Sequence, residues 1–158
     1  MKRLLILLTA LYAGIGTLCA ENIIIGDKAP RLRLQAWLMD MQPEEADFTC
    51  IYFHNSESAL CRQCLDEIKD ICNKFAPQLH LLIITKESYS DAGVTLTSYL
   101  SDYTSVGFDE RGRTFRAFGV KFIPFCVIID NTHRTAWCGN GASLSEPIIE
   151  KILTTKTK

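Results

Sequence analysis

Apolar and polar positions divide the chain into short buried strands and amphipathic helices. Residues 48–53 and 79–85 are short runs rich in β-branched and aromatic side chains, which predicts two buried strands. Residues 125–130 form a third apolar run, and the turn-forming pair Asp130-Asn131 separates it from a further strand over residues 134–138. These last two strands are therefore expected to pair as an antiparallel hairpin.

Helical periodicity is clearest after residue 60. Apolar side chains recur there at spacings of three and four and form one stripe, made by Leu65, Ile68, Ile71, Cys72 and Phe75. The pattern predicts a helix that begins at Cys61 and is stopped by Pro77.

Weaker patterns complete the expected architecture. They predict a half-buried strand over residues 31–37, the end of a helix over 98–103, a short strand over 106–108, helical turns over 114–118 and an amphipathic helix over 144–153. Strands that alternate with helices imply parallel crossovers, and the late hairpin adds antiparallel pairing. The expected fold class is α/β, with a central mixed sheet, helices on both faces and an N-terminal β extension.

The first twenty residues resemble an export signal. Lys2 and Arg3 precede an uncharged apolar run over residues 4–18, and Ala20 precedes polar residues. The run is shorter than the roughly 20 residues that span a bilayer. We expect a signal peptide over residues 1–20, a mature domain over 21–158, and a periplasmic or other extracytoplasmic location. An uncleaved anchor stays open, and lipidation at Cys19 fits poorly because Leu18 is not small.

Charge and cysteine content narrow the classes of function. The formal net charge is −1 and would become −3 once Lys2 and Arg3 are removed, and no basic block indicates nucleic-acid binding. Six cysteines stay in the mature chain: Cys50, Cys61, Cys64, Cys72, Cys126 and Cys138. An even number suits an exported protein with disulfides, but the sequence assigns no pairs. Cys50, Cys72 and Cys126 lie in apolar patterns and are expected in the core.

Cys61 and Cys64 are the candidate catalytic residues. They are three positions apart at the start of the predicted helix, so their sulfurs can approach to form a disulfide with little backbone movement. The positive end of the helix dipole favours a thiolate at Cys61, and Cys64 could then resolve the mixed disulfide. A static disulfide or half of a zinc site is the alternative, although no second cysteine pair at zinc-finger spacing is present.

The chain resembles the exported thioredoxin-like disulfide reductases of the TlpA/ResA type. The segments that carry the likeness are GDKAP at 26–30, CRQCLDEI at 61–68, DERG at 109–112, FGV at 118–120, IP at 123–124 and VIID at 127–130. The resemblance implies a thioredoxin fold, thiol–disulfide exchange with protein cysteines, a thiol electron donor and no bound cofactor. It also implies that Pro124 is a cis-proline and that Ile123 presents its backbone to an extended substrate.

Three departures from that family are visible. Leu60 replaces the usual tryptophan, seven residues (54–60) separate the strand from Cys61, and Tyr52 stands where thioredoxins have a buried acid. Two other functions stay open. A peroxiredoxin-like peroxidase would share the fold, but its usual peroxidatic motif is missing before Cys61. A copper or zinc chaperone would use Cys61, Cys64 and His54, although copper carriers of this fold space their cysteines differently. His54 is otherwise interpreted as a polar loop residue.

Overall fold

The structure is a computed structural model that describes residues 23–155. The predicted signal peptide, residues 1–20, lies outside the described residues. Among the helices of the described chain, none is both long and apolar enough to cross a membrane.

Six strands form one mixed sheet in the order β1-β4-β3-β2-β5-β6. The strands are β1 (Ala36–Trp37), β2 (Phe48–His54), β3 (Leu79–Thr85), β4 (Thr104–Phe108), β5 (Phe125–Asp130) and β6 (Thr135–Asn140). The three central strands β2, β3 and β4 run parallel, whereas β1, β5 and β6 pair antiparallel with their neighbours. The predicted mixed α/β sheet and its late hairpin are confirmed.

Residues 23–155 contain four α-helices, of which the first three connect strands and the fourth follows β6. They are α1 (Ala59–Lys74), α2 (Tyr89–Thr97), α3 (Arg113–Ala117) and α4 (Glu146–Thr155), with 3₁₀ turns at Leu38–Asp40 and Gly141–Ser143. Alternate residues of β2 face opposite sides of the sheet, so Tyr52 joins one hydrophobic cluster and Phe53 the other. Side chains of α1, α2 and α4 pack into the first cluster, and Phe115 of α3 packs into the second. Helices therefore cover both faces, as predicted.

The N-terminal extension contains less strand than the pattern predicts. Only Ala36 and Trp37 pair with β4, although a strand was expected over residues 31–37. The amide of Arg33 donates to Thr114 Oγ1 instead of a strand neighbour, at 2.8 Å. Leu34 lies against Gly107, where its Cδ1 occupies the space that a β-carbon would need. The Gln35 amide still donates to the Phe108 carbonyl at 2.8 Å, so the segment contacts the sheet through backbone as well as side chains.

The helix expected over residues 98–103 is also placed wrongly. Helix α2 occupies Tyr89–Thr97, and residues 98–103 form the turn into β4. Ser88 caps the start of α2 by accepting a hydrogen bond from the Asp91 amide. At the other end the Thr97 hydroxyl donates to the Gly93 carbonyl. Hydroxyl groups that bond to nearby backbone in this way favour helix ends over helix interiors.

Candidate active site

Helix α1 carries both candidate redox cysteines in its first two turns. Ser58 is the N-cap residue, and its side-chain oxygen accepts a hydrogen bond from the Cys61 amide at 3.2 Å. The helix therefore begins at Ala59, two residues earlier than predicted, and Cys61 is its third residue. Cys61 still lies in the first turn, where the helix dipole favours an anion. Its own amide, however, is already bonded to Ser58.

Both sulfurs are shielded from solvent. Cys61 is 0% exposed and Cys64 3%, and both are free thiols. Burial raises the pKa of the Cys64 thiol, the Tyr52 hydroxyl acts in the opposite direction, and nearby Glu67 adds to the rise. Glu67 itself is on the exposed face of α1, where it accepts a hydrogen bond from Gln63. The raised pKa keeps Cys64 mostly as a thiol in this conformation, and the thiol is less reactive than the thiolate.

Tyr52, in β2, contacts the backbone of Cys61. Its hydroxyl donates to the backbone carbonyl of Cys61 at 2.8 Å, and its side chain is fully buried. Burial raises the pKa of Tyr52 well above its usual value, so the phenol keeps its proton and stays a donor. The sequence indicated only that this position lacks an acid. The structure places a neutral hydrogen-bond donor here.

Pro124 and Gly141 lie next to Cys64. The peptide bond between Ile123 and Pro124 is cis. The Gly141 amide donates to the Pro124 carbonyl at 3.0 Å. A β-carbon added to Gly141 would lie 3.2 Å from both Cys64 Sγ and Pro124 Cβ. The structure thus brings together Cys61, Cys64 and Pro124, three of the predicted site residues, and adds Gly141.

His54 is the last residue of β2 rather than a loop residue. It is 2% exposed, and its Nε2 lies 3.3 Å from the Ser56 hydroxyl. Its Nδ1 is buried and has no hydrogen-bond partner among residues 23–155. Burial lowers the pKa of His54 to about 4, which keeps the ring neutral at physiological pH.

Solved structures of low sequence identity share this fold. A protein assigned as the thiol:disulfide interchange protein DsbE of Chlorobium tepidum superposes with a TM-score of 0.65 at 22% identity, over 84% of this chain and 97% of that one. The exposed lipoprotein thioredoxin Etrx1 of Streptococcus pneumoniae gives a TM-score of 0.58 at 16% identity, over 70% and 85% of the two chains. The chain has the thioredoxin fold.

One further solved structure shares the fold, whereas two sequence comparisons found no match. A cysteine-to-serine mutant of PrxQ from Xylella fastidiosa also superposes on this thioredoxin fold, with a TM-score of 0.62 at 15% identity over 85% of this chain and 96% of that one. No protein-family profile matches the chain, and no curated protein sequence does. The thioredoxin fold that the motifs implied is confirmed.

Three further free thiols lie beneath the redox pair within the thioredoxin fold. Cys50, Cys72 and Cys126 are all buried in the same cluster as Cys64, as expected of core cysteines. Burial raises the pKa of Cys126, which keeps its thiol protonated and unreactive. The described part of the chain has no group of three or more His, Cys, Asp or Glu side chains arranged to hold a metal ion. The combination of Cys61, Cys64 and His54 therefore finds no support as a copper or zinc site.

Proposed function

We propose that the protein is a thiol–disulfide oxidoreductase that acts on protein cysteines through Cys61 and Cys64. The observation that carries this proposal is the placement of both thiols at the start of α1, with Cys64 Sγ and Pro124 meeting at Gly141. In this arrangement an extended substrate segment could add to the backbone of Ile123, next to the reacting sulfur. Leu60 and Phe122, which are 52% and 41% exposed, offer apolar contacts on the two neighbouring segments.

The reaction balances as an exchange of two electrons. The Cys61 thiolate attacks a substrate disulfide, and one substrate sulfur leaves as a thiolate that takes up a proton. The Cys64 thiolate then attacks Cys61 Sγ in the mixed disulfide and releases the second substrate thiol. The substrate is reduced, and the Cys61–Cys64 pair is oxidised. Because Cys61 is fully buried, the first step needs a local opening of the site.

We infer that the protein works as a reductase outside the cytoplasm. The location is supported by Lys2 and Arg3 before the uncharged run at residues 4–18, and by the exposed lipoprotein among the structural neighbours. Extracytoplasmic compartments are oxidising, so a reductase there needs a membrane or soluble thiol donor to regenerate the Cys61–Cys64 dithiol.

Trapping of the mixed disulfide tests the proposed roles directly. Cys64→Ala removes the resolving thiol, so it should accumulate a disulfide between Cys61 and an insulin chain or a cysteine peptide, detected as added mass. Cys61→Ala should trap nothing. Cys72→Ala is the matched control, since Cys72 is a buried thiol of the same helix, and it should turn over insulin disulfides as the parent chain does.

The reduction potential of the Cys61–Cys64 pair decides the direction of electron flow. A value near that of thioredoxin, about −270 mV, supports a reductase, and a value near −120 mV indicates an oxidant. If the two thiols never form a disulfide with each other, and Cys64→Ala traps no substrate, the proposed function is wrong. Hydrogen peroxide added as sole oxidant in the same assay tests the peroxidase alternative, which the fold likeness to PrxQ alone leaves open.

A further inference from the structure

A cavity of about 320 Å³ lies beside the segment that leads into Pro124. It is formed where β2 and β3 end and where the chain approaches β5. Its apolar walls are Phe115, Val120, Phe122 and Ile123. Ile123 also belongs to the proposed substrate-binding backbone, so a substrate strand paired there would place a neighbouring side chain at the mouth of the cavity.

Among the described residues that line this cavity, positive charges outnumber negative ones. Lys86 and Lys121 are part of its lining. Lys86 Nζ lies 5.1 Å from the centre of the Phe115 ring. Arg116 of α3 is next to Lys86, since both would contact a β-carbon at Gly112, at 3.3 and 3.5 Å. Lys86 and Arg116 are close enough for their fields to add within a Debye length at physiological salt, and Lys121 lines the same cavity as Lys86.

The acidic residue of the lining is already engaged by the protein. Glu87 Oε2 accepts hydrogen bonds from the Ser56 amide and from the Thr85 hydroxyl, each at 2.8 Å. These bonds hold the loop after β2 in place. The single negative charge of Glu87 offsets only one of the two lysine charges in the lining. The cavity as a whole suits an anionic group.

His54 provides a second and independent indication of a ligand. It lines the cavity, it is almost fully buried, and Nδ1 finds no partner within the described chain. A buried polar atom without a partner costs free energy, and native proteins keep few such atoms. When the Ser56 hydroxyl donates to Nε2, the neutral ring carries its proton on Nδ1, as a donor that a carboxylate could accept.

We propose that this cavity binds an acidic side chain, Asp or Glu, of the substrate protein close to its reacting cysteine. The inference rests on the proposed function, because it names the substrate feature that the oxidoreductase selects. Lys86 and Lys121 supply the charge, the apolar walls contact the carbon atoms of the acidic side chain, and His54 at the end of β2 is a further donor.

A peptide series tests this preference. Each peptide carries one cysteine joined by a disulfide to 4-thiopyridine, an uncharged leaving group whose release is followed by absorbance. Glu, Gln or Lys is placed in turn at each of the three positions on either side of the cysteine. At one position Glu should raise the rate constant for reaction with the reduced protein about two- to fivefold over Gln. Added salt should reduce this difference.

Variants assign the preference to the cavity. The double substitution Lys86→Gln and Lys121→Gln should abolish the advantage of Glu and leave the Gln peptides unaffected. Reaction with 4,4′-dithiodipyridine, which has no side chain for the cavity, should also be unchanged and shows that the variant is folded. Lys69→Gln with Lys151→Gln is the matched control, because Lys69 on α1 bonds to Ser98 and Lys151 is exposed on α4.

The outcomes separate this inference from the proposed function. Equal rates for Glu, Gln and Lys at every position, with the protein active, overturn the acidic preference and leave the oxidoreductase proposal standing. An advantage for Glu that survives in the Lys86/Lys121 double variant also overturns it, because the selectivity then lies elsewhere. A protein that reacts with none of the disulfides refutes the oxidoreductase proposal, and the inference fails with it.

Discussion

Replacing Gly141 by alanine should disturb the point at which Cys64 meets Pro124. The new β-carbon would lie 3.1 Å from Tyr52 Cε2 and 3.2 Å from both Cys64 Sγ and Pro124 Cβ. Favourable contacts between carbon atoms lie at about 3.5–4.0 Å. All three neighbours are therefore too close by a few tenths of an ångström, and all three belong to the proposed site. None of them is the free end of an exposed side chain.

The size of the effect follows from the packing. Methyl groups inserted into a well-packed interior cost about 1–3 kcal/mol, because side chains and backbone must shift. With three crowded contacts we expect a loss of about 2 kcal/mol in the free energy of unfolding. For a domain of this length that loss lowers Tm by roughly 6–10 °C. The shift should also move Cys64 relative to Pro124, so the rate of insulin reduction should fall more than stability alone predicts.

Gly93→Ala provides the matched control. Gly93 is buried in α2, but a β-carbon there meets Leu38 and Tyr89 at 3.4 Å or more, which is ordinary contact. Alanine is favoured over glycine inside a helix by about 1 kcal/mol, so this variant should be as stable as the parent or more stable. Thermal unfolding and insulin reduction are measured for both. A Gly141→Ala protein with the stability and rate of Gly93→Ala would refute the reasoning.

Three further substitutions test the buried polar groups. Tyr52→Phe removes the hydrogen bond to the Cys61 carbonyl, so it should cost about 1 kcal/mol and raise the pKa of Cys64 further, measured by the pH dependence of alkylation. Since the pKa of His54 is lowered to about 4, the unfolded chain takes up its proton first, and about 3 kcal/mol of stability should be lost as pH falls from 6.5 to 4. His54→Gln should remove that loss, and His133→Gln, at an exposed turn, should keep it. Asp109→Asn should cost about 1–3 kcal/mol in urea unfolding, because both carboxylate oxygens accept backbone amides of α3; an Asp109→Asn protein as stable as one with exposed Asp102→Asn would contradict this.

Local patterns predicted the centre of the sheet well. Residues 79–85 and 125–130 are strands with the bounds that their apolar runs indicated. The stripe of Leu65, Ile68 and Cys72 is the buried face of α1. These elements are signalled locally because burial on one or both faces leaves a period of two or of 3.6 in the sequence itself.

The edges of the fold depended on contacts that no local pattern signals. The segment before β1 looks like a strand by alternation, but the Arg33 amide bonds to Thr114 on α3 instead of extending the sheet. Helix α1 begins at Ala59 and not at Cys61, because the Ser58 hydroxyl caps it there. Tertiary hydrogen bonds and caps of this kind override short stretches of propensity.

The candidate site likewise contains residues that local motifs mark and residues that only distant contacts place there. Cys61, Cys64 and Pro124 could be picked out as candidates because motifs mark them, and the fold places them close together. Tyr52 and Gly141 could not, since each acts through a contact with a residue far along the chain. His54 was misinterpreted as a loop residue because its polarity suggested exposure. A polar residue at the end of a strongly apolar strand is the signal that could have indicated a buried group.

The shielding of both sulfurs has a consequence for selectivity. Because Cys61 is fully buried, it can react with a disulfide only after the site opens. An opening that costs about 1.4 kcal/mol lowers all reaction rates tenfold. A substrate that also binds beside Ile123 binds the open state more tightly than the closed state, and this binding offsets part of the loss in rate. A small disulfide makes no such contact, so its rate stays low. Recognition in the charged cavity would thus decide which disulfides reach the thiols. Peptide disulfides with a well-placed acid should therefore outcompete small disulfides of equal intrinsic reactivity, and a protein that reacts with both at the same rate would show that opening is not linked to binding.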